Sequence, residues 1–338
     1  MSKFVRNAWY MAAWESEING RDLFTRTLLG EPRLVFRKSD GVGYFMLNDR
    51  CPHRFAPLSK GKRDGDRVAC GYHGLTFDAD GRCVKNPFSK TIPPRANVTA
   101  FPAVARHSIV WFWPGDPQEA NPDLIPDFSF LNGPKPVSRR WMRMQANYEI
   151  LTDNLMDLSH AEFVHAETFK TDGAILTGTH KVTEQADGGI RSDWWMANAT
   201  ASFNNQGLPE DSLVDKWLDM CWYAPASMWL EVGMTPAGKP RSAAPGKPML
   251  NPHIVTPETD SSSHYFYTCD PGPESEAFAD RVFETEDKPM LEAVQRAMAD
   301  RDFWEMKPAI LSVDAGALRA RQRLQKMRED EEADGSAA

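Results

Sequence analysis

Short apolar runs separated by turn-forming residues make up the first third of the chain. Such runs occur at residues 33–36, 44–47, 67–69, 75–77 and 108–113. Runs of this length, with Gly, Asp and Ser between them, predict short strands of antiparallel sheets. Residues 78–81, which read Asp-Ala-Asp-Gly, have the composition of a hairpin turn between two of these strands.

The apolar spacing becomes helical in the middle of the chain. Residues 147–165 read NYEILTDNLMDLSHAEFVH, and their apolar positions follow one stripe through Ile150, Leu151, Leu155, Leu158 and Ala161. This spacing predicts that most of the stretch is α-helix. Strand-like runs return between residues 180 and 270, and helical, heavily charged patterns follow at 274–301 and 314–328.

A proline-rich connector separates the two patterns. It carries six prolines between Pro114 and Pro136, and proline fixes φ and lacks an amide donor. We therefore expect two domains, residues 1–120 and 121–338. The expected fold class is α+β, with an antiparallel β domain first and then an antiparallel sheet covered by helices.

Composition narrows the functional classes. Asp and Glu outnumber Lys and Arg by 47 to 39, and no basic stripe stands out, which argues against a nucleic-acid partner. The sequence contains no run of eighteen apolar residues, so no membrane-spanning helix is expected. The N-terminal stretch lacks the long apolar core of a signal peptide. We expect a cytoplasmic protein, because its five scattered cysteines form a poor disulfide framework.

Two short motifs pair a cysteine with a histidine. Cys51-Pro52-His53 forms a C-x-H pair, and Cys70-Gly71-Tyr72-His73 forms a C-x2-H pair. Zinc sites usually space their ligands differently, and each pair here mixes one sulfur with one nitrogen. The pattern resembles the Rieske motif, in which two cysteines hold one iron of a [2Fe–2S] cluster and two histidines hold the other. A zinc knuckle remains the alternative interpretation of the same residues.

A second group of candidate ligands lies in the predicted central helix. Asn154, Asp157 and His160 are three residues apart, and His165 lies about 140° from His160 on a regular helix. Both histidines reach one metal only if the helix ends or bulges between them. Two histidines and one carboxylate form the ligand set of non-haem Fe(II) oxygenases, which leaves positions open for O2.

With both motifs present, the chain resembles the oxygenase component of the Rieske non-haem iron oxygenases, in the vanillate O-demethylase and dicamba monooxygenase group. The resemblance covers nearly the whole length. It is carried by FVRNAWYMAAW at 4–14, CPHRFAPLS at 51–59, GYHGLTFD at 71–78, DNLMDLSHAEFVH at 153–165, IVTPET at 254–259 and EDK at 286–288.

The resemblance implies specific metal ligands. It assigns Cys51, His53, Cys70 and His73 to the Rieske cluster. It assigns His160, His165 and Asp287 to the mononuclear Fe(II), although Asp280, Glu284 and Glu286 are alternative carboxylates nearby.

The resemblance also implies a ring of three subunits in which the cluster of one chain lies beside the iron of its neighbour. The carboxylate of Asp157 would then accept two hydrogen bonds, one from the cluster histidine His73 and one from the iron histidine His160. Asn154 would lie near the iron as a weak or distant ligand.

By the same resemblance, His253 would hold a carboxylate or phenol of the substrate. Leu230 stands where dicamba monooxygenase has a pocket asparagine, and Phe278 stands where it has a pocket tryptophan. These two departures make the expected pocket more apolar. The same substrate therefore cannot be carried over.

The family chemistry implies partners. The chain has no G-x-G-x-x-G fingerprint, so NAD(P)H would be oxidised by a separate reductase or ferredoxin, and Lys60, Lys62, Arg63 and Arg67 could meet an acidic partner. The expected reaction is O-demethylation or hydroxylation of an aromatic acid with O2. The alternatives are a ring cis-dihydroxylase, a hydroxylase of a non-aromatic ring compound, and a Rieske electron-transfer protein.

Overall fold

The computed structural model of the chain describes residues 4–18, 23–169, 171–201, 207–209 and 212–335. These residues pack as two compact units. The first contains the chain up to Asn132 together with residues 256–260 and the chain from Arg328 onward. The second contains Gly133–Val255 and Ser261–Met327.

Antiparallel sheets form the first unit. Its described strands are β1 (Tyr10–Trp14), β2 (Phe24–Leu28), β3 (Glu31–Arg37), β4 (Tyr44–Asn48), β5 (Lys62–Asp64), β6 (Arg67–Ala69), β7 (Thr76–Phe77), β8 (Cys83–Lys85), β9 (Ala100–Phe101), β10 (Ala103–Arg106) and β11 (Ile109–Phe112). They form the sheets β1-β11-β10, β2-β3-β4-β9 and β5-β6-β7-β8. Each predicted strand of this region is present, and residues 78–81 form the turn, closed by a bond from Gly81 N to Asp78 O of 3.0 Å.

A shared core lies under the last two of these sheets. Phe36, Phe77 and Leu58 are completely buried in it, and the thiols of Cys51 and Cys70 belong to the same cluster of side chains. Burial of each of the three large apolar side chains stabilises the fold by about 1.5–3 kcal/mol. The cysteine loops are therefore anchored at their sulfur ends in a packed interior.

A sheet of seven described strands belongs to the second unit, except that residues 256–259 at the end of one strand are counted in the first. Its strands are β12 (Ser138–Met144), β13 (Thr179–Glu184), β14 (Ile190–Thr200), β15 (Leu213–Tyr223), β16 (Ser227–Pro236), β17 (Met249–Thr259) and β18 (Ser262–Cys269). Their order is β12-β18-β17-β16-β15-β14-β13, and the register is antiparallel in every pair described. The α+β prediction, with an antiparallel β unit first and helices on a sheet second, is confirmed.

Helices cover this sheet. They are α1 (Tyr148–Met156), α2 (Ala174–Thr177), α3 (Pro273–Asp280), α4 (Lys288–Met298) and α5 (Ala315–Ala333). Arg321 of α5 holds α1 in place through bonds to Asp153 at 2.7 Å and Glu149 at 3.0 Å. No helix within the described ranges is both long and apolar enough to cross a lipid bilayer.

The prediction that most of residues 147–165 are α-helix is wrong. Helix α1 ends at Met156, and a 3₁₀ turn at Leu158–Glu162 follows it. Between them, Asp157 has extended backbone angles (φ −117°, ψ 92°), and its carboxylate accepts from the N–H of Ser159. An Asp side chain that caps the next turn competes with continuation of the helix. The α-helix therefore ends before both histidines and not between them.

A π-helical segment joins α3 to α4. It spans Arg281–Asp287, and Pro289 follows in the first turn of α4. Proline cannot donate a backbone hydrogen bond into the preceding turn, which favours an interruption of the α-helical ladder at this point. The wider turn ends at Asp287, whose side chain is buried.

Candidate metal centres

Three side chains from two separated segments converge in the second unit. His160 lies in the 3₁₀ turn after α1, His165 lies five residues later, and Asp287 ends the π-helical segment. Asp287 Oδ1 is 3.3 Å from His165 Nε2 and 3.7 Å from His160 Nε2. One ligand atom from each of the three residues falls within 4.8 Å of the others, which suits a single metal ion.

The second nitrogen of each imidazole is already engaged. His160 Nδ1 lies 2.6 Å from the backbone carbonyl of Asp157, and His165 Nδ1 lies 2.8 Å from Glu286 Oε2. These oxygens accept, so each Nδ1 carries the proton and each Nε2 keeps a lone pair. Both lone pairs are therefore available at the side where Asp287 lies, as a histidine–metal site requires.

Electrostatics keeps Asp287 ionised. Burial opposes ionisation, but the neighbouring imidazoles of His165 and His160 outweigh it, so the pKa of Asp287 lies below its usual value. Burial lowers the pKa of His160 although Asp287 opposes that shift. Burial also opposes protonation of His165, yet the nearby carboxylates of Asp287 and Glu286 raise its pKa. An ionised carboxylate beside two imidazoles is the donor set that Fe(II) binds.

Asn154 lies at the same point. Its Nδ2 is 3.2 Å from Asp287 Oδ1 and 3.4 Å from His160 Nε2. A small cavity beside it has a mostly apolar wall, formed by Met144, Leu151, Asn154, Leu155, Tyr265, Asp287 and Leu291. The wall of the metal site toward α1 is therefore apolar apart from this amide.

The neighbouring carboxylates have other partners. Asp280 binds Arg140 at 2.5 and 2.7 Å, and Glu284 is exposed. Glu286 accepts from His165 and also from Thr168 Oγ1 at 2.6 Å. Glu286 thus orients the imidazole of His165. The sequence indicated Glu286 only as an alternative ligand to Asp287, because neighbouring positions in the chain do not show which carboxylate points toward the metal site.

The expected role of the Asp157 carboxylate toward His160 is corrected. His160 donates to the backbone carbonyl of Asp157, while the carboxylate Oδ1 caps Ser159 N at 3.0 Å. The extended backbone at Asp157 turns its carbonyl toward the imidazole. A substitution of the side chain therefore leaves the bond that orients His160 in place.

The two cysteine loops of the first unit share one backbone design. Cys51 N binds Ala56 O, and Phe55 N binds Cys51 O; the second loop repeats both bonds with Cys70, Leu75 and Gly74. The fifth residue of each loop has positive φ, which is 60° at Phe55 and 72° at Gly74. Glycine adopts this conformation freely, whereas a phenylalanine is strained in it.

The donors of these loops come together in pairs. Cys51 and Cys70 are 2% and 3% exposed, and the rings of His53 and His73 lie 4.6 Å apart. Burial raises the pKa of the Cys51 thiol to about 11, opposed by the backbone N–H groups of His53 and Arg54 and reinforced by the Cys70 thiol. Paired sulfurs, with two amides directed at that of Cys51, beside paired imidazoles fit a cluster with two cysteines on one iron and two histidines on the other.

The predicted substrate residues lie in the second unit. His253 is 5% exposed, and Tyr265 Oη lies 2.5 Å from its Nδ1. Burial lowers the pKa of His253 to about 4 and raises that of Tyr265, so a neutral imidazole faces a neutral phenol. The contact engages Nδ1, and Nε2 is the other nitrogen of the ring. Within the described residues, this buried Nε2 has no hydrogen-bond partner. Sequence reasoning did not find Tyr265, which no motif marks.

The two apolar candidates lie on different elements of the second unit. Phe278 packs edge-on against Phe169 at 5.1 Å, and Phe169 packs against His165 at 5.9 Å. Leu230 lies on β16, two residues after Met228, and Met228 is the cross-strand partner of His253. Phe278 thus reaches the metal site through one aromatic ring, and Leu230 shares a sheet face with His253.

Comparisons with known proteins agree with this geometry. Residues 8–102 match the Rieske [2Fe-2S] domain family, and residues 144–330 match the vanillate O-demethylase oxygenase C-terminal domain family. The oxygenase component of chloroacetanilide N-alkylformylase from Rhizorhabdus wittichii is 36% identical over 95% of each chain. The dicamba O-demethylase oxygenase component of Stenotrophomonas maltophilia is 35% identical over 98% of this chain and 99% of its own.

Solved structures give the same result. Dicamba monooxygenase bound to dicamba matches with a TM-score of 0.86 and 36% identity, over 98% of this chain and 99% of that chain. A structure of dicamba monooxygenase with non-haem iron and dicamba matches with a TM-score of 0.80 and 34% identity, over 98% and 99% of the two chains. The chain therefore belongs to the Rieske-type oxygenases, as an oxygenase component of the vanillate and dicamba O-demethylase group with a [2Fe–2S] Rieske domain and a mononuclear iron site.

Proposed function

We propose that this chain removes the methyl group of a methoxylated aromatic acid. The observation that carries the proposal is the buried group of His160, His165 and Asp287, in which both Nδ1 atoms are held and both Nε2 atoms are free to bind. The named activities of the dicamba and vanillate relatives support the choice of an aromatic methyl ether. The overall reaction converts ArOCH3, O2, two electrons and two protons into ArOH, formaldehyde and water.

The residues take separate roles in this proposal. Cys51, His53, Cys70 and His73 hold the cluster, and His160, His165 and Asp287 hold the Fe(II). When bound, these centres supply electron storage and O2 activation. Glu286 holds the His165 tautomer, and Asn154 keeps the Asp287 carboxylate in place through its amide. His253, Leu230 and Phe278 contact the substrate.

We assign Asp157 to the connection between subunits. Its carbonyl holds His160, and its half-buried carboxylate keeps a second oxygen for His73 of a neighbouring chain in a trimer. Asp157→Asn should keep both metal centres loaded and slow electron transfer between them. Single-turnover oxidation at the wild-type rate would contradict this role.

The physiological context follows from the same chemistry. Electrons come from a ferredoxin or an NAD(P)H reductase that docks near the exposed His53, and the enzyme serves aromatic catabolism. We place it in the cytoplasm, because none of the five cysteines forms a disulfide. We place the boundary between the Rieske and catalytic domains near residue 120.

The test is a substrate screen with a surrogate reductase. NADH-dependent O2 uptake and formaldehyde release are measured over methoxylated and plain benzoates. Formaldehyde in proportion to the phenol formed is the expected result. A hydroxylated product without formaldehyde would replace demethylation by hydroxylation, an outcome favoured by the 34% identical relative named as a toluene-4-sulfonate monooxygenase subunit. No product from any aromatic acid would overturn the proposal.

A further inference from the structure

The peptide bond between Met156 and Asp157, at the end of α1, is held on both sides. Its N–H, which belongs to Asp157, donates to the carbonyl of Asp153 at 3.1 Å and closes the last turn of the helix. Its carbonyl, which belongs to Met156, accepts from Ser192 Oγ at 2.9 Å. Carbonyls in the last turn of a helix have no partner within the helix, so a buried one needs a partner from elsewhere. Ser192 on β14 is that partner.

The next carbonyl along the chain orients an iron ligand. It belongs to Asp157 and accepts from His160 Nδ1 at 2.6 Å. Peptide bonds are planar, so the direction of this carbonyl is set by the preceding peptide bond together with the two backbone angles of Asp157, φ −117° and ψ 92°. A shift of the peptide bond that Ser192 holds would therefore turn the acceptor of His160.

Helix α5 closes the contact between Ser192 and Met156 from a third side. Ser192 is completely buried, and Gly316 lies in the first turn of α5. A Cβ added at Gly316 would lie 3.2 Å from Ser192 Cβ and 3.3 Å from the carbonyl oxygen of Met156. Packing this close leaves no room for a water molecule to replace the hydroxyl. Loss of the hydroxyl would therefore leave the carbonyl unpaired.

His180 determines where the hydroxyl of Ser192 donates. Its Nε2 lies 2.9 Å from Ser192 Oγ. Serine has one hydroxyl proton and a carbonyl only accepts, so that proton points at Met156 and the oxygen accepts from His180. The imidazole is itself held in place, because it stacks on Trp194 with ring centroids 4.4 Å apart and planes 14° apart.

The seven-stranded sheet presents these three side chains on one face. His180 on β13 and Trp194 on β14 are cross-strand partners, and Ser192 lies two residues before Trp194. Side chains two residues apart on a strand point to the same side. A chain of hydrogen bonds thus runs from His180 through Ser192 to the end of α1.

We propose that Ser192 and His180 are positioning residues for the iron site. They fix the peptide bond at the end of α1, and the carbonyl that follows then holds His160 with its Nε2 directed at the metal. The inference rests on the proposed function only in its assignment of His160 to the iron. Ser192 and His180 act through the backbone and not as ligands.

The chain contains a matched control for Ser192. Ser263 is also completely buried, and its Oγ donates to the carbonyl of Ala146 at 2.7 Å, just before α1 begins. Ser192→Ala and Ser263→Ala therefore remove the same kind of bond at opposite ends of one helix. Both variants should lose similar thermal stability, because each leaves one buried carbonyl unpaired. Only Ser192→Ala should alter the iron site.

Two measurements on the iron-loaded protein report on that site. Dialysis against a chelator gives the dissociation constant of Fe(II), and the EPR spectrum of the nitric oxide adduct of the ferrous iron reports the geometry of its ligands. Ser192→Ala should weaken iron binding by about 10-fold, as is typical when the group that orients a ligand is disturbed, and should change the spectrum. Ser263→Ala should match the wild type in both measurements.

His180 provides a second pair of variants, which decides the question if Ser192→Ala does not fold. His180→Phe keeps a ring against Trp194 and removes the N–H. It should weaken iron binding by about 2–10-fold, the value of one hydrogen bond, and change the spectrum in the same direction. His180→Gln has an amide that can donate in place of Nε2, and it should stay close to the wild type.

Each contrary result has a definite meaning. Wild-type iron affinity and spectrum in Ser192→Ala, or equal changes in both serine variants, would overturn the role of Ser192. Equal behaviour of His180→Phe and His180→Gln would overturn the role of His180. A wild type without mononuclear iron would overturn this inference together with the proposed function. A wild type that binds this iron and releases no formaldehyde would overturn demethylation alone.

Discussion

The two metal centres are built in opposite ways. In the first unit, the donors sit on two loops with the same pair of backbone hydrogen bonds, and His53 is exposed. In the second unit, the donors come from segments more than 120 residues apart, and side chains or one carbonyl fix each imidazole. One centre is fixed by local backbone geometry and the other by tertiary packing.

This difference determines what a substitution does. A loop held by its own backbone keeps its shape when a surface side chain changes, but it depends on the residue at its positive-φ position. A site held by side chains depends on each partner of each ligand, including residues that never touch the metal.

Removal of the shared carboxylate should have the largest effect. Asp287→Ala leaves two imidazoles without an anionic ligand, and we expect product formation to fall by roughly 1000-fold or more. Metal analysis should show about two irons per chain in place of about three, with the cluster absorption unchanged. Normal turnover with full iron content would remove Asp287 from the site.

The buried His253 should make the free energy of unfolding depend on pH. The folded pKa of His253 is about 4, below its ordinary value of 6.5, so the unfolded chain takes up the proton first as pH falls. The contribution of the neutral His253 to the free energy of unfolding is complete above pH 6.5. It is lost as pH falls toward 4, and the loss reaches up to about 3 kcal/mol. Tyr265 and Asp287 are the groups that act on it.

Urea unfolding followed by tryptophan fluorescence measures this dependence. In His253→Gln the slope of stability against pH between 6.5 and 4 should be smaller than in the wild type. An equal slope in both proteins would show that His253 does not titrate in this way.

The residue that orients His165 should have an intermediate effect. Glu286→Leu removes the acceptor for His165 Nδ1, and loss of such a partner typically weakens metal binding by about 10–100-fold. Iron retention during dialysis against a chelator measures it. The exposed neighbour Glu284→Leu is the control and should retain iron like the wild type; equal loss in both variants would point to general disruption of the helix.

The smallest effect should come from the cluster loops. Phe55 has φ 60° where the equivalent residue of the other loop is Gly74. Phe55→Gly should therefore relieve about 1 kcal/mol of strain, and Gly74→Ala should cost about as much. Thermal unfolding of the cluster-loaded protein measures both changes, and a destabilised Phe55→Gly would show that the ring contributes more than the strain.

Sequence patterns predicted the locally determined features best. The C-x-H and C-x2-H motifs, the strands that flank them and the hairpin at 78–81 depend on neighbours in the chain, and the structure contains all of them. The shared backbone design of the two loops was not visible, because Phe55 gives no sign of positive φ.

Features that depend on tertiary contacts were harder to predict. Nothing near Asp157 shows that its carbonyl, and not its carboxylate, meets His160, since that depends on the end of α1. The roles of Glu286 and Tyr265 likewise depend on partners more than ten residues away. The apolar stripe through residues 147–165 predicted too long an α-helix, because apolar spacing does not show that the Asp157 side chain caps the next turn.

We infer that oxidation of substrate takes place at the site of His160, His165 and Asp287 and not at the cluster. Iron, sulfide and formaldehyde release should be measured together for the wild type and for His160→Ala/His165→Ala. We expect the double variant to keep about two irons and two sulfides per chain and to release no formaldehyde. Formaldehyde release at the wild-type rate from the double variant would contradict it.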